Sequence, residues 1–338
     1  MGGTRQGGQR GSRILPLLVV GALVAIAPAL VTDALWRFAG ASRERGVTDA
    51  LSSLPAGGPW PRNVLVVGTD SRERYRREAG DRFGPADTLQ GERADVVMLV
   101  RIDREGDPAR VLNIPRDLLV EVGGYGRQRL STALEYGGPA LLVRTVRAVT
   151  GLPVHHYLDI DFLGFAELVD LVGGVEVEVE VPVRDAYSGL DLGAGRQRID
   201  GWMALAMVRA RNTEERRSGE WRAVEDGDRG RLARQQHVIR ALSREARTHG
   251  LSPGRDVAAI RRVGAHVRLD SRLLLPDALV LFRALAGAPP AQFDILPTSP
   301  ALSEQERTSP FPPHHVGTLN YLQLTEPAAR QALEGFAR

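Results

Sequence analysis

Short runs of apolar and β-branched residues recur along the chain at the length of buried strands. They are residues 63–68, 95–103, 109–114, 155–161 and, near the end, 292–296. A further run, residues 175–181, alternates valine with glutamate, which is typical of a strand with one solvent-exposed face. The sequence therefore predicts a series of strands, at least one of which borders the surface.

Between these runs, apolar residues recur at helical spacing and are bounded by proline, glycine or polar residues. The predicted helices are residues 139–150, 162–172, 201–208, 229–249 and 273–286. Because strands alternate with helices along the chain, we predict an α/β fold in which helices and a sheet form layers.

The N-terminal region has a separate pattern. Residues 14–32 are uncharged and would form a helix of roughly 28 Å, which is close to the thickness of a bilayer core. Residues 1–13 carry three arginines and no acid, so we predict a cytoplasmic basic tail, one transmembrane anchor and an extracytoplasmic remainder. A cleaved signal peptide is the competing interpretation, because Ala27-Pro28-Ala29 resembles a cleavage site.

The rest of the chain divides by composition. Residues 33–62 mix small residues and proline with scattered charge, which indicates an extracytoplasmic stalk. The predicted folded domain is residues 63–300, and residues 301–338 are predicted to be a peripheral, proline-rich tail.

Composition excludes several chemistries. All 44 basic residues are arginine and cysteine is absent, so a Schiff-base lysine, a P-loop, a thiolate nucleophile and a cysteine-based metal site are excluded. A net charge of +3 and an aromatic content of 5% do not favour general nucleic-acid binding. An anion site must therefore come from local clusters of arginine.

Such a cluster lies between residues 209 and 234, where eight of 26 residues are arginine. Arg216, Arg217 and Arg222 are interpreted as solvated surface charge. Arg209 and Arg211 follow an apolar run and would share one side if the chain is extended there.

The start of the next helix adds a second group of polar residues. Asp228, Arg231 and Gln235 are spaced three and four apart, which places them on one face of that helix start. Because a helix N-terminus favours anions and guanidinium groups bind phosphate oxygens in pairs, we predict a phosphate site there.

A third group lies at the ends of predicted strands. Asp70 follows one strand, Arg93 and Asp95 open the next, and Arg116 follows a third. Ligands of open α/β sheets gather at the carboxyl ends of strands. Carboxylates beside phosphate-binding arginines suggest Mg²⁺, which takes one or two carboxylates together with substrate phosphates.

At these residues the sequence resembles the LytR-CpsA-Psr family of membrane-anchored cell-wall glycopolymer ligases. The matching segments are NVLVVGTDSR (63–72), RADVVMLVRID (93–103), VLNIPRDLLVEV (111–122), ALEYGGP (133–139), GLPVHHYLDIDFLGFAELVDLVGGVEVEV (151–179), IDGWMAL (199–205), VRAR (208–211) and DRGRLARQQ (228–236). Each segment alone is unspecific, but their order and joint presence are highly specific.

The resemblance implies a central mixed β-sheet flanked by helices and a long apolar pocket for a polyprenyl chain. It also implies a phosphotransferase that moves a glycopolymer phosphate from a polyprenyl diphosphate carrier to a peptidoglycan hydroxyl, with Mg²⁺ as cofactor. By position, Asp70 and Asp95 correspond to the metal-associated carboxylates, and Asp228 to a residue that orients the arginines. The implied diphosphate cradle consists of Arg93, Arg116, Arg209, Arg211, Arg231 and Gln235.

Three departures from the family pattern stand out. The segments 71–92 and 212–227 are each longer than usual, and we interpret them as rim loops that shape access for the acceptor. Arg129-Leu130-Ser131 stands where the family has Lys-Ile-Asn, which keeps a cation and removes the asparagine.

Two other functions use the same binding residues. A non-catalytic envelope receptor for lipid-linked glycopolymer needs the cations more than a metal pair, and a lipid-diphosphate hydrolase would pass the polymer to water. A transcriptional regulator is disfavoured by the predicted membrane span. The sequence leaves open which glycopolymer is transferred and which group accepts the hydroxyl proton.

Overall fold

The computed structural model describes residues 42–54, 60–70, 93–224, 227–249, 262–286, 291–300 and 322–338. In chain order the strands are β1 (Ser42–Glu44), β2 (Arg62–Asp70), β3 (Arg93–Ile102), β4 (Arg110–Asn113), β5 (Leu119–Val122), β6 (Gly126–Arg129), β7 (His156–Asp161), β8 (Val175–Val179), β9 (Val183–Asp185), β10 (Leu190–Leu192), β11 (Gly195–Ile199), β12 (Glu214–Arg217), β13 (Glu220–Ala223), β14 (Val267–Asp270), β15 (Gln292–Ile295), β16 (Thr298–Pro300) and β17 (Leu322–Leu324). The α-helices are α1 (Thr132–Thr150), α2 (Phe162–Leu171), α3 (Gly201–Arg209), α4 (Gly227–His249), α5 (Leu275–Ala286) and α6 (Ala328–Ala337), and a 3₁₀ helix spans Arg45–Ala50.

The centre of the molecule is a seven-stranded sheet in the order β1-β14-β7-β2-β3-β4-β15. The pairs β1–β14, β7–β2 and β4–β15 are parallel, and the other three pairs are antiparallel. The predicted α/β fold with a central mixed sheet flanked by helices is therefore confirmed.

Alternation along the strands divides the core between the two faces of the sheet. Leu65, Val67 and Leu99 belong to one buried cluster, which also contains the apolar face of α1. Val64 and Val100 belong to a different cluster with residues of α5. Successive side chains of a strand point to opposite faces, so the period of two in β2 and β3 builds a layer on each side.

A second apolar layer forms around α2, α3 and α4. The side chain of Asp161 caps the start of α2 and that of Asp200 caps the start of α3, each accepting a backbone N–H three residues later. At Gly201, an added Cβ would lie 2.1 Å from the carbonyl oxygen of Ala166. Only glycine permits this close approach of α3 to α2.

The predicted elements from residue 63 to residue 296 are present, and most of their ends shift by at most two residues, but α1 begins at Thr132 instead of residue 139. The strands β11 and β14 were not predicted, and three short hairpins add to them. These are β5–β6, β9–β10 and β12–β13. The segment 212–227, predicted to be a rim loop, contains the β12–β13 hairpin, which joins β9 and β10 in a four-stranded sheet. The segment 71–92 lies outside the described residues.

The end of the chain differs from the predicted peripheral tail. Ala329 and Phe336 of α6 are buried in the same cluster as Leu65 and Leu99. In addition, the backbone N–H of Leu322 donates to the carbonyl oxygen of Asp117 at 3.1 Å. Residues 322–338 therefore contribute to the domain core.

In the part of the chain that the structure describes, no helix is long and apolar enough to cross a bilayer. The predicted span at residues 14–32 and the basic tail before it lie outside the described residues. The anchor therefore stays a prediction.

Candidate active site

A buried carboxylate, Asp117, forms the centre of the candidate site. Its residue is 2% exposed, and its two oxygens face four guanidinium groups. The distances are 3.3 Å from Arg116 Nε, 3.4 Å from Arg129 Nη1, 3.3 Å from Arg211 Nη2 and 3.3 Å from Arg231 Nη2. We call these four residues the arginine cluster.

The cluster determines the ionisation of its central acid. Burial on its own would raise the pKa of Asp117, but the positive charges of Arg116, Arg231, Arg129 and Arg211 outweigh burial and lower that pKa to about 2. Asp117 therefore stays ionised at neutral pH and holds the guanidinium groups in fixed positions.

The topology explains why residues so distant in sequence meet. Arg116 follows β4, and Arg129 is the last residue of β6. Both therefore lie in the part of the chain that connects the central strand β4 to α1. Arg211 follows α3, and Arg231 lies in the first turns of α4. The cluster thus joins the sheet edge to the second helical layer, at the edge where β2 and β4 end.

A β-bulge places Asp95 at this edge. Gly68 of β2 pairs with Val96 and Thr69 pairs with Ala94, so Asp95 is an extra residue on β3 with no partner on β2. Bulges re-aim side chains and are common next to active sites. The Asp95 carboxylate accepts a hydrogen bond from Arg116 Nη1, which connects it to the arginine cluster.

Two other predicted arginines contact different partners. Arg93 Nε lies 3.3 Å from Glu135 Oε2, at the start of α1. Arg209 closes α3, and its guanidinium carbon lies 5.0 Å above the ring centroid of Phe162. The helix continues through Arg209, so the condition under which Arg209 and Arg211 would share one side, an extended chain, is not met.

Gln235 is 2% exposed and lies one helical turn beyond Arg231 on α4, as the spacing predicted. Its Nε2 donates to the carbonyl oxygen of Val208 at 3.3 Å, and its Oε1 is buried with no hydrogen-bond partner among the described residues. The side chain therefore retains an acceptor at the site.

Two predicted residues can be placed only by their backbone. Asp70 ends β2 and pairs with Arg93 of β3, directly beside the bulge. Asp228 lies in the first turn of α4. The side chains of both lie outside the described residues.

Asp185, which had no signature in the sequence, organises the segment around Arg211. Asp185 is 1% exposed, and its Oδ2 accepts the backbone N–H groups of Arg211 at 2.8 Å and Asn212 at 2.9 Å. Its Oδ1 accepts those of Tyr187 at 2.9 Å and Ser188 at 3.2 Å. One carboxylate thus fixes both the arginine segment and the turn after β9.

Asp117 was missed as well, although it lies inside the segment VLNIPRDLLVEV that carried the resemblance. An aspartate beside an arginine gives no signal of burial. The burial comes from arginines that are between 12 and 114 positions away in the chain. Glu135, the partner of Arg93, lacked a signal for the same reason.

An apolar surface lies next to the site on the sheet. Val66, Met98 and Leu158 are direct neighbours across β2, β3 and β7, and Val96 and Ile160 flank Gly68 one step further along. All five side chains are only partly buried, although their strands are central in the sheet, and Val66, Met98 and Leu158 pack against the cluster that contains residues of α5. We call these five residues the apolar row; its end at Val96 adjoins Asp95.

The fold and the site define an α/β protein with a candidate polyanion site at one edge of its sheet. A family model described as the LytR_cpsA_psr family matches residues 52–277. The chain therefore belongs to the LytR-CpsA-Psr family, which confirms the resemblance found in the sequence.

Two curated relatives illustrate the similarity. The probable cell wall biosynthesis protein LcpB of Corynebacterium glutamicum is 38% identical over 188 residues, which cover 56% of this chain and 42% of LcpB. The polyisoprenyl-teichoic acid–peptidoglycan teichoic acid transferase TagT of Bacillus subtilis is 29% identical over 226 residues, which cover 65% of this chain and 62% of TagT. The chain thus spans about half the length of the curated relatives it matches.

Solved structures share the fold over most of the chain. The LytR-Csp2A-Psr enzyme from Actinomyces oris has a TM-score of 0.63 at 28% identity, covering 87% of this chain and 95% of that one. TagT bound to LI-WTA has a TM-score of 0.59 at 23% identity, with coverages of 87% and 97%, and this likeness shows the fold alone.

Proposed function

We propose that this protein is a phosphotransferase of the cell envelope. It moves a glycopolymer phosphate from a polyprenyl diphosphate carrier to a peptidoglycan hydroxyl and releases polyprenyl phosphate. The observation that carries the proposal is the arginine cluster around Asp117, because it holds several guanidinium groups at one sheet edge. The name of TagT, a teichoic acid transferase, supports the same class of reaction.

The cluster suits a diphosphate. Guanidinium groups bind phosphate oxygens in a planar, two-point geometry and keep their charge at any physiological pH. Asp117 and Asp95 contact the arginine cluster and hold its guanidinium groups in position. Four guanidinium groups in one place make the local potential positive, which favours an anionic ligand over a neutral one.

The apolar row supports a lipid carrier. Partly buried Val66, Met98 and Leu158 offer a continuous hydrocarbon surface that starts beside Asp95. These three side chains pack against the cluster that contains α5, so the row lies between the sheet and that helix and is only partly open. Binding sites for apolar ligands are commonly concave and lined by such side chains. A polyprenyl chain on this row would place its diphosphate at the arginine cluster.

The predicted Mg²⁺ fits the chemistry of the residues present. The Asp95 side chain is 22% exposed and presents hard oxygen atoms, which Mg²⁺ prefers. Asp70 lies beside it in the β2–β3 ladder. We propose that these two carboxylates would hold the ion, which when bound would neutralise phosphate charge.

The transfer is an in-line substitution at phosphorus. The oxygen of the acceptor hydroxyl forms a bond to the phosphorus that carries the glycopolymer, and the bond from that phosphorus to the bridging oxygen breaks. The electron pair leaves with polyprenyl phosphate, and the hydroxyl proton is released. The arginine cluster stabilises the charge on the phosphoryl oxygens and positions the diphosphate, which is the main requirement for phosphoryl transfer.

We further propose that the reaction takes place outside the cell membrane, with residues 14–32 as a single anchor and the N-terminus in the cytoplasm. The donor is already activated, so the reaction requires no nucleotide. This agrees with the absence of a P-loop lysine from the sequence.

The decisive experiment compares Arg116→Ala with the wild-type protein on a lipid-diphosphate glycan and peptidoglycan oligomers. We expect at least about a tenfold loss of transfer, since the variant removes one electrostatic stabiliser of the transition state. Arg330→Ala is the matched control, because Arg330 is an exposed arginine of α6 with a 74% exposed side chain. Normal turnover by Arg116→Ala would contradict the assignment.

The products separate the competing functions. Attached polymer indicates a transferase, and free polymer with released polyprenyl phosphate indicates a hydrolase. Binding of the donor without turnover indicates a receptor.

A further inference from the structure

The end of the chain lies against the residues that carry the centre of the arginine cluster. Strand β17 and helix α6 belong to residues 322–338, which we call the C-terminal segment. The backbone N–H of Leu322 donates to the carbonyl oxygen of Asp117 at 3.1 Å, and Leu322 forms a parallel bridge with Leu118. The residue whose carboxylate faces four guanidinium groups is therefore also bonded, through its backbone, to the C-terminal segment.

The chain after β4 is fixed by three backbone hydrogen bonds, one to each of three successive carbonyl groups. The bonds, at 2.9 to 3.1 Å, are Ser131 N–H to Arg116, Leu322 N–H to Asp117 and Leu130 N–H to Leu118. Two of the donors come from the connection between β6 and α1, directly after Arg129. The third donor comes from the C-terminal segment, so this segment holds the backbone of Asp117 against the other two bonds.

The C-terminal segment is itself attached to the domain. Ala329 and Phe336 of α6 are buried in the main core. Arg110, at the start of β4, donates from Nη1 to the carbonyl oxygen of Gly335 at 2.9 Å, and its guanidinium carbon lies 5.9 Å from the ring centroid of Phe336. The segment thus contacts the start of β4 through α6 and the residues after the end of β4 through β17.

The position of the Asp117 backbone matters because Asp117 sets the geometry of the site. Its oxygens lie 3.3 to 3.4 Å from the nitrogens of the four guanidinium groups, and the residue is 2% exposed. A displacement of about 1 Å that starts far from the chemistry can lower the rate of an enzyme about a hundredfold. A bond that limits the movement of Asp117 therefore acts on the whole arginine cluster.

We propose that the C-terminal segment positions the anion site. The Leu322 N–H fixes the backbone of Asp117, and the Asp117 carboxylate in turn fixes the guanidinium groups that receive the diphosphate. Leu322 is thus a positioning residue, which acts on the ligand through Asp117. This inference deepens the proposed function and rests on it for the identity of the ligand.

The test removes the Leu322 N–H and measures binding of pyrophosphate to the full chain in detergent micelles. Leu322→Pro has no N–H to donate, whereas the conservative variant Leu322→Ala keeps the N–H and loses most of the side chain. At a temperature at which both variants are folded, we expect Leu322→Pro to raise the pyrophosphate Kd about tenfold. Leu322→Ala should keep the wild-type Kd. A segment that only adds stability would lower the Tm of both variants and leave both Kd values unchanged.

Thr325→Pro is the matched proline control. The N–H of Thr325 donates to the carbonyl oxygen of Pro297 at 3.1 Å, so this variant also removes one backbone hydrogen bond of the C-terminal segment, but not the bond to Asp117. The pyrophosphate Kd should stay at the wild-type value. An increase as large as that of Leu322→Pro would contradict the role of the Leu322 N–H.

Hydrogen exchange on the wild-type protein tests the same link without a substitution. Coupling between two sites is reciprocal, so bound pyrophosphate should slow exchange of the Leu322 amide. The reference is the Ser52 amide, which donates to the carbonyl oxygen of Val154 at 2.7 Å, before β7 and at the opposite end of the sheet. Pyrophosphate should slow exchange at Leu322 more than at Ser52. Equal slowing would indicate general stabilisation and would overturn the positioning role.

The transfer assay keeps the two proposals separable. If the wild-type protein transfers nothing but binds pyrophosphate with a Kd that depends on the Leu322 N–H, the transferase proposal fails and the positioning role stands. If Leu322→Pro binds pyrophosphate as tightly as the wild-type protein, the positioning role is overturned, whatever the result of the transfer assay. If the wild-type protein does not bind pyrophosphate, both proposals fail.

Discussion

Two of the groups of buried acids in this domain differ in how their charges are balanced. Asp117 faces four arginines, as described above. Asp159 of β7 and Asp270 of β14 form the second group. In the order of the central sheet, β7 and β14 lie on one side of β2, and β4, which precedes Asp117 in the chain, lies on the other. Asp159 accepts from Arg268 Nε with both oxygens, at 2.9 and 3.0 Å, and from the Tyr157 hydroxyl at 2.9 Å.

Asp270 is satisfied in another way. Its oxygens accept the backbone N–H groups of Tyr157, Arg272 and Leu273 at 2.7 to 3.0 Å, and His156 Nδ1 lies 3.3 Å away. In this group each carboxylate accepts hydrogen bonds from its own set of donors. These hydrogen bonds therefore stabilise the local structure. At Asp117 one carboxylate lies against four guanidinium groups that come from four different segments of the chain.

Neutralising the central acid of each group should affect the two groups differently. Asp117→Asn leaves the buried cations of the arginine cluster without their main counter-charge, so we expect a loss of roughly 3 kcal/mol in the free energy of unfolding. Pyrophosphate should restore a large part of this loss, because it supplies the missing negative charge. Thermal unfolding with and without pyrophosphate measures both effects.

The matched control is Asp159→Asn. It should also destabilise the protein, since Arg268 loses both of its hydrogen bonds to the carboxylate, but pyrophosphate should not restore its stability. Equal rescue of the two variants would contradict the assignment of Asp117 to an anion site.

The second region should also differ in its response to pH. Burial, followed by the charges of His156 and nearby arginines, lowers the pKa of His155 to about 4, and its Nδ1 accepts the backbone N–H of Asn63 at 2.9 Å. His155 is therefore protonated at a lower pH in the folded protein than in the unfolded chain, where its pKa is near 6.5. The contribution of neutral His155 to the free energy of unfolding is fully present above pH 6.5. It is lost as the pH drops from about 6.5 to about 4.

His155→Asn keeps an acceptor near the position of Nδ1 and removes the titration. We expect the variant to lose about 2 kcal/mol less than the wild-type protein between pH 7 and pH 4. Asp117 contributes in a lower window, because its stabilising charge is lost only as the pH falls from about 3.8 through about 2. Denaturant unfolding at several pH values measures the free energy of unfolding of both proteins. The same dependence on pH in His155→Asn and in the wild-type protein would refute the role of His155.

The smallest effect is expected on the surface arginines. Arg222 of β13 has a 69% exposed side chain and pairs with Glu220 at 3.1 Å. Arg222→Gln should change the free energy of unfolding by less than about 0.5 kcal/mol and leave transfer unchanged, because exposed pairs contribute little. A large effect would mean that surface charge also takes part in binding.

Local patterns were sufficient to predict much of this structure. The strands around residues 63–68 and 95–103 and the helix near 229–249 depend on periodicity within single segments. The spacing of Arg231 and Gln235 likewise placed both on the buried face of α4, because helix geometry alone determines it.

Sequence patterns could not predict the features that depend on contacts between distant segments. Asp117 and Asp185 are buried only because β6, α3 and α4 close over them, and a lone aspartate gives no sign of this. The packing of α6 against the main core was missed because the proline-rich segment before it suggested a tail. The helix predicted over residues 201–208 ends one residue later, at Arg209, so Arg209 and Arg211 do not share an extended segment.

The bulge at Asp95 makes β3 one residue longer than its pairing with β2 requires. Ala94, Val97 and Leu99 all face the main core, so the odd spacing between the first two comes from the single inserted residue. Deleting Asp95 would give a regular β2–β3 ladder with those three side chains still inward. The hairpin thus contains one amino acid more than its pairing needs, and the length of this segment, as well as its composition, distinguishes it from a purely structural strand.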